Sequence, residues 1–410
     1  MHFSIARKID MDTFASFAIR GRALRPIIQG GMGVGISAHR LAGTVARAGG
    51  VGTIASIDLR HHHADLSAQA QSCRDRDELN RLNLIALDRE IKAALALAGG
   101  NGLIAVNVMK AVDAHPDYVR QACASGAQAI VMGAGLPLDL PELAESHPDV
   151  ALIPILSDAR GVAIVLKKWA RLKKFGSDGR LPDAIVIEHP RYAGGHLGAP
   201  NPADLDNEKF NFADVLPGVF KAFDDMGIAR GRIPVIVGGG INSHEKLGAA
   251  LALGASAVQV GTPFAVTAEG DAHPEFKRVL AEARPEDIVT FMSVAGLPAR
   301  AVKTPWLVNY LKREAKLQAV ARADPNRCAI GLHCLTQCGL RDGIAKAGQF
   351  CIDAQLVAAL KGDLKKGLFF RGSESLPFGS AIRTVQELID YFMTGVRPAE
   401  TAAIAGAAAS

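Results

Sequence analysis

Short, almost unbroken apolar runs recur along the chain, and stretches with helical spacing separate them. The runs are PIIQGGM (26–32), VGTIAS (51–56), LIAVNVM (103–109), AIVMGAG (129–135), ALIPILS (151–157), AIVIEH (184–189), PVIVGGGI (234–241) and AVQVGTPF (257–264). A strand buried on both faces reads this way, because neither face needs polar side chains. The text between runs is long enough for helices; LAGTVARAGG (41–50) carries Leu41 and Val45 and ends on a glycine pair. Strand–helix alternation repeated eight times predicts a (β/α)8 barrel. A doubly wound open sheet is the alternative. Its G-x-G-x-x-G fingerprint is poorly matched by GGMGVGIS, where Met32 and Val34 break the register.

Around the barrel at 21–285 lie other segments. Residues 1–20 read as an N-terminal extension. Residues 58–100 read as a helical insertion opened by His61, His62 and His63, which look like a solvated loop because adjacent histidines share no face. Beyond the eighth run, 286–395 has little strand pattern except IVTFMSV and reads as an α-rich cap. The tail 396–410, small and apolar, reads as frayed.

Several runs end in residues able to do chemistry: Gln29 to Gly33, Asn107, Gly133 to Gly135, Glu188 and His189, Gly238 to Gly240, and Gly261 with Thr262. In a barrel these ends converge on one mouth. PVIVGGGIN lets backbone N–H groups approach a phosphate, a helix starting near Ser243 adds its N-terminal dipole, and VQVGTPF adds a hydroxyl. Ordinary tight turns are the plainer alternative. In RYAGGHLGAP, Gly194 and Gly195 clear space around His196, whose side chain titrates near neutrality and suits proton transfer; a surface-loop histidine is the competing reading. The basic run Lys167, Lys168, Arg171, Lys173, Lys174 and Arg180 is either a solvated helix face or a docking patch for an acidic partner or anionic substrate.

Four of the six cysteines, Cys328, Cys334, Cys338 and Cys351, follow the spacing C-x5-C-x3-C-x12-C. Four thiolates in one short stretch suit an iron–sulfur cluster. Zinc, whose ligands usually come in tighter pairs, and plain buried thiols stay open; disulfides fit poorly with a chain that shows no export signal. Cys73 and Cys123 read as small buried residues. The net charge of +5 and the 5% aromatic content show no basic stripe for nucleic acid. No apolar run reaches the length of a membrane span and no signal peptide is visible, so a cytoplasmic protein is expected.

Taken together, PIIQGGMGVGIS, Asn107, VMGAGLP, the GGH loop, VGGGIN and VQVGTPF resemble the FMN-dependent nitronate monooxygenase superfamily, once called 2-nitropropane dioxygenases, which includes FMN-dependent enoyl-acyl-carrier-protein reductases. GLPARAVKT, the cysteine block, GLFFRGSES and VQELIDYFMTG look like a subgroup with an added 4Fe–4S cluster, typified by an acyl-carrier-protein dehydrogenase/isomerase of unsaturated fatty-acid synthesis. Many relatives have Gly-Thr-Arg-Phe at the eighth strand; here Pro263 stands in place of the arginine. The resemblance implies FMN at the barrel mouth. Gly31, Met32 and Gly33 would line the isoalloxazine and Asn107 would bond it, with Gly133, Glu188, Gly194 and Gly195 alongside. Gly239, Gly240, Gly261 and Thr262 would hold the phosphate, His196 would be the base, and the four cysteines would ligate the cluster. No NAD(P)H site can be assigned.

The expected function is an acyl-thioester dehydrogenase/isomerase acting on a small or carrier-bound acyl substrate, with O2 as a possible acceptor and a homodimer possible. The alternatives are a nitronate monooxygenase, an NAD(P)H-dependent enoyl reductase and a non-catalytic redox carrier.

Overall fold

A computed structural model describes residues 13–175, 179–328 and 331–399. Eight parallel strands close into a barrel: β1 (Ile27–Gln29), β2 (Val51–Ala55), β3 (Leu103–Met109), β4 (Ala129–Gly133), β5 (Ala151–Leu156), β6 (Ile185–Glu188), β7 (Val235–Gly238) and β8 (Ala257–Val260). Each pairs with its neighbours in sequence, and β8 closes on β1 through Val258 opposite Ile27. The eight apolar runs supply these strands, and the closed order rules out the open doubly wound sheet.

Alternation along the strands divides the core in two. Ile28, Ala105, Val131, Ile153, Val186 and Ile236 pack together with Phe17, Ile19 and Leu24, filling the barrel interior. Ile27, Ile54, Val106, Ile130, Ile187 and Val237 pack outward against the helices. Phe17–Ile19 and Arg22–Leu24 form a hairpin whose apolar side chains join the interior set. The segment expected to be an extension therefore belongs, from Phe17 on, to the barrel. Residues 1–12 lie outside the described residues, as does 400–410 of the expected frayed tail.

Helix α1 (His39–Arg47) crosses β2 so closely that a Cβ on Gly52 would lie 1.8 Å from the Ala42 carbonyl oxygen. The insertion holds α2 (Arg76–Ala98), capped by Asp75, which accepts from the Asp77 and Glu78 N–H groups, and stopped by Gly99 at φ 60°. The three histidines are not a solvated loop. His62 Nε2 lies 2.8 Å from the Gly35 carbonyl oxygen, and His63 Nε2 lies 3.0 Å from Glu90 Oε1. Burial pushes the His61 imidazole down to about 4. A three-residue irregularity does what periodicity cannot reveal: it ties the start of the insertion to α2 and to the loop after β1.

On α3 (Ala159–Ala170), Val162, Val165, Leu166 and Trp169 are buried while Lys167, Lys168 and the following Arg171 are exposed. Lys174 pairs with Glu145 at 2.5 Å, and Arg180 with Asp183 at 2.5 Å.

The region after β8 is less helical than expected. Strands β9 (Ile288–Met292) and β10 (Pro298–Val302) form an antiparallel pair, and Gly195–His196 adds to the free edge of β10. The closing helix, α6 (Val385–Thr394, after α4 His244–Ala252 and α5 Ile352–Leu360), leaves the cap altogether. Its Val385, Leu388, Ile389, Phe392 and Met393 join the outer barrel core. Phe392 is fully buried there. Phe392→Ala should therefore cost the barrel about 3–5 kcal/mol, seen as a lower midpoint of the main denaturant transition; a loss confined to a separate minor transition would assign α6 to the cap instead.

Candidate functional site

The inward alternation that fills the barrel continues one step further toward the strand C-termini. Two residues beyond the packed interior positions come Gly30, Asn107, Gly133, Ile155, Glu188 and Gln259, all facing a cavity of about 570 Å3. Such a volume is in the range of small-molecule and cofactor sites. Every residue expected to hold the cofactor or move a proton lines it: Gly31, Met32, Gly33, Asn107, Gly133, Glu188, Gly194, Gly195, His196, Gly239, Gly240, Gly261 and Thr262. Gln29 is different. Its Oε1 accepts from Thr53 N–H at 2.9 Å, replacing backbone pairing where β1 and β2 share only one aligned pair.

Two close approaches shape the floor. A Cβ on Gly31 would sit 2.3 Å from Asn107 Cβ, so only glycine lets this loop lie across the strand end. Gly239 and Gly240 have φ of 96° and 82°, and side chains there would strike the His189 carbonyl oxygen and the Tyr192 ring. Ser243 caps α4, accepting from Lys246 N–H at 3.3 Å, as the sequence predicts for a helix aimed at a phosphate.

His196 sits on the short strand beside β10, with its ring edge-on to Phe370 at 5.7 Å between centroids. Its Nε2 is buried and has no partner among the described residues. Burial holds the imidazole down at about 4, so it is neutral, and able to accept a proton, at ordinary pH. Glu188 also faces the cavity with no hydrogen bond or ion pair among the described residues. Burial pushes its carboxyl up to about 7.

Sequence patterns missed the roof. The cap covers the mouth with Phe276, Leu280, Leu356, Leu368, Phe370 and Leu376, and adds the buried Arg371. The available signal was Arg371 itself, a lone cation inside the apolar GLFFRG stretch.

Among the described residues no disulfide joins any of the six cysteines. Cys123 is buried as expected, while Cys73 is partly exposed. Cys334 lines the cavity; burial is the main cause lifting its thiol well above the usual range, and the charges of Asp58 and of Cys351, Cys338 and Cys328 add to this. Those thiols are thus neighbours, but among the described residues no three His, Cys, Asp or Glu side chains are disposed to hold a metal ion. Residues 329 and 330, next to Cys328, lie outside the described residues.

Glu188 makes stability depend on pH with a definite sign. Its carboxyl titrates at 4.5 when free and near 7 in the fold, so between those values the folded chain binds more protons and stability falls as pH rises. The full drop is about 3 kcal/mol for an otherwise unliganded site. Urea unfolding at pH 5 and pH 8 should show this drop in the wild type relative to Glu188→Gln; parallel pH profiles would mean that Glu188 titrates normally.

The sequence model of nitronate monooxygenases matches residues 21–394. A probable nitronate monooxygenase of Bacillus subtilis is 28% identical over 293 residues, spanning 69% of this chain and 78% of that protein. A (3aS,4S,5R,7aS)-5-hydroxy-7a-methyl-1-oxo-octahydro-1H-indene-4-carboxyl-CoA dehydrogenase of Rhodococcus jostii is 26% identical over 313 residues, 73% of this chain and 69% of that one. In fold, the chain is similar to FabK of Thermotoga maritima, with TM-score 0.59 and 22% identity over 90% of this chain and 91% of that chain. It is also similar to nitroalkane oxidase of Streptomyces ansochromogenes, with TM-score 0.59 and 20% identity over 90% of this chain and 95% of that chain.

Proposed function

The chain belongs to the nitronate monooxygenase family and is an oxidoreductase, and we propose that it binds FMN and oxidises acyl thioesters. The residues fit the cofactor. The glycine turns leave room against the strand ends, and Glu188 and His196 Nε2 are polar groups without protein partners facing the same space. FMN bound across the mouth would supply the hydride acceptor.

The observation that carries the acyl reading is the cavity's second wall. A nitronate is small and polar, has already lost its proton, and needs little beyond the flavin. Here Leu280, Leu356, Leu368 and Leu376 present an apolar face to the same cavity as His196. An acyl chain laid against that face excludes water and turns its thioester end toward the imidazole. His196 Nε2, neutral and unengaged, takes the α-proton, and the hydride leaves the β-carbon, giving the α,β-unsaturated thioester. Below about pH 6 Glu188 keeps its own proton and so does not compete as a base. The acyl-CoA dehydrogenase activity named for the Rhodococcus jostii relative supports this substrate class. The second reading, oxidation of alkyl nitronates with O2, is supported by the name of the Bacillus subtilis relative.

The cysteine block adds a further proposal. Cys328, Cys338 and Cys351 lie near enough to act on the Cys334 thiol, four thiols are the donor chemistry of a 4Fe–4S cluster, and these four would be its ligands. The support is donor identity and neighbourhood; the side chains are not arranged as a metal site. A bound cluster would contribute folding energy to this part of the cap. Protein purified without oxygen should carry iron and sulfide, and Cys338→Ser should lose both and melt earlier. Zinc in place of iron, or unchanged iron content in the variant, would reject the assignment.

His196→Ala should retain FMN but lose anaerobic flavin reduction by saturated acyl thioesters by about a hundred- to ten-thousand-fold. A preformed nitronate has already lost its proton and should suffer less. Undiminished thioester oxidation by the flavin-loaded variant would remove His196 from the mechanism. Reduction of the wild type by nitronates but by no thioester would establish the second reading.

A further inference from the structure

We propose that Arg371, contributed by the cap, is the counter-charge of the FMN phosphate, so that the phosphate is gripped between the barrel's glycine turns and the cap loop 371–375. The inference rests on the FMN reading above. Its first support is a charge imbalance. Asp158, Glu188, Asp353 and Glu374 line the cavity; Glu374 is paired with Lys246, which lies outside the lining and also bonds the Gly240 carbonyl oxygen, and Arg371 is the one Lys or Arg among the described lining residues. A phosphate dianion entering an acid-lined cavity needs a cation.

The second support is Arg371 itself. The residue is 3% exposed. Its Nε donates to the Leu280 carbonyl oxygen at 2.9 Å, and its Nη1 to the carbonyl oxygens of Gly372 and Glu374 at 2.8 and 3.2 Å. Those partners are neutral, and Nη2 has no partner among the described residues. Buried guanidinium groups stay charged, and buried charges are ordinarily paired with an opposite charge. No carboxylate plays that part for Arg371 among the described residues, which leaves the role to an anion from outside the chain.

The third support is position. Gly372 N–H donates to Thr262 Oγ1 at 3.0 Å, and Ser373 N–H to the Tyr192 carbonyl oxygen at 3.2 Å. Asn242 Nδ2 donates to the Ser375 carbonyl oxygen at 2.8 Å. The loop that begins with Arg371 is therefore fastened onto both phosphate turns, after β7 and after β8. Pro263 leaves the β8 turn without a cation of its own. The residue after Arg371 bonds that same turn through its N–H.

The test compares FMN with riboflavin, which lacks only the phosphate. Apoprotein should bind FMN more tightly than riboflavin, measured by quenching of flavin fluorescence. Arg371→Gln keeps side-chain donors for the carbonyl oxygens but removes the charge. It should weaken FMN about tenfold or more, the scale of a charge-assisted hydrogen bond, and change riboflavin by less than about twofold, while Arg371→Lys should keep part of the preference for FMN. If Arg371→Gln does not fold, hydrogen exchange on the wild type decides: FMN should protect the amides of residues 372–375 beyond what riboflavin does. Equal loss for both flavins, or equal protection by both, would overturn the role of Arg371 while leaving the FMN reading intact. Failure of the wild type to bind either flavin would overturn both.

Discussion

The site depends on one antiparallel pairing, in which Gly195 and His196 lie opposite Arg300 and Ala299 of β10. The barrel strand that precedes this segment ends at Glu188, so the loop carrying the histidine has no barrel neighbour to hold it. The cap strand supplies that neighbour. Leu197 N–H continues the ladder to the Pro298 carbonyl oxygen, and the buried Arg300 donates to the carbonyl oxygens of Pro190 and Ala193 further back along the loop. Ala301 then bridges to Phe370, and Arg371 N–H donates to the Arg300 carbonyl oxygen. One cap strand thus places His196, the aromatic ring against it, and Arg371 at the start of the loop that bonds the turns after β7 and β8. A barrel without this cap would keep its glycine turns and lose the geometry above them.

Desolvation sets the resting chemistry of the cavity, and it does so with opposite consequences for two side chains. Removing water disfavours charge on either group, so His196 becomes a weaker proton acceptor and Glu188 a more reluctant proton donor. Both are then neutral near pH 6. An uncharged site lets an apolar chain enter without stripping water from fixed ions at the reacting end, and a hydride acceptor there meets no fixed negative charge from Glu188. The cost is a histidine of low basicity. A bound anionic cofactor would raise that basicity by favouring the imidazolium.

Much of this was legible in the chain because parallel strands buried on both faces leave continuous apolar runs, and because a barrel collects the residues that end those runs. Asn107, Glu188, Gly239 and Thr262 could be read as a set before any coordinate was known. What was illegible depends on contacts across long sequence separations. Arg371 meets Leu280 some ninety residues away, and its neighbour Gly372 meets Thr262 more than a hundred away, and no local pattern marks such partners. Strand β10, PARAV, carries a proline and a charged residue that mask a strand. The amphipathic VQELIDYFMT advertises an apolar face but not the barrel it covers. The three histidines failed for the converse reason: each makes its own separate contact, so shared spacing was never the relevant signal.

The cysteine block is tied to the same site, although its spacing suggests a detachable module. Asp113 N–H donates to the Cys334 carbonyl oxygen at 3.0 Å, Thr336 N–H donates to the Ala111 carbonyl oxygen at 2.9 Å, and Val112 bridges Leu335. These bonds lace the segment onto the loop directly after β3, the strand that carries Asn107. From the other side, Cys351 caps α5, whose Ile352, Leu356 and Ala359 line the cavity roof. Any ligand that draws these thiols together therefore pulls on a floor loop and a roof helix at once. The barrel is stable through its own two cores, but the enclosure of the site is shared between barrel and cap.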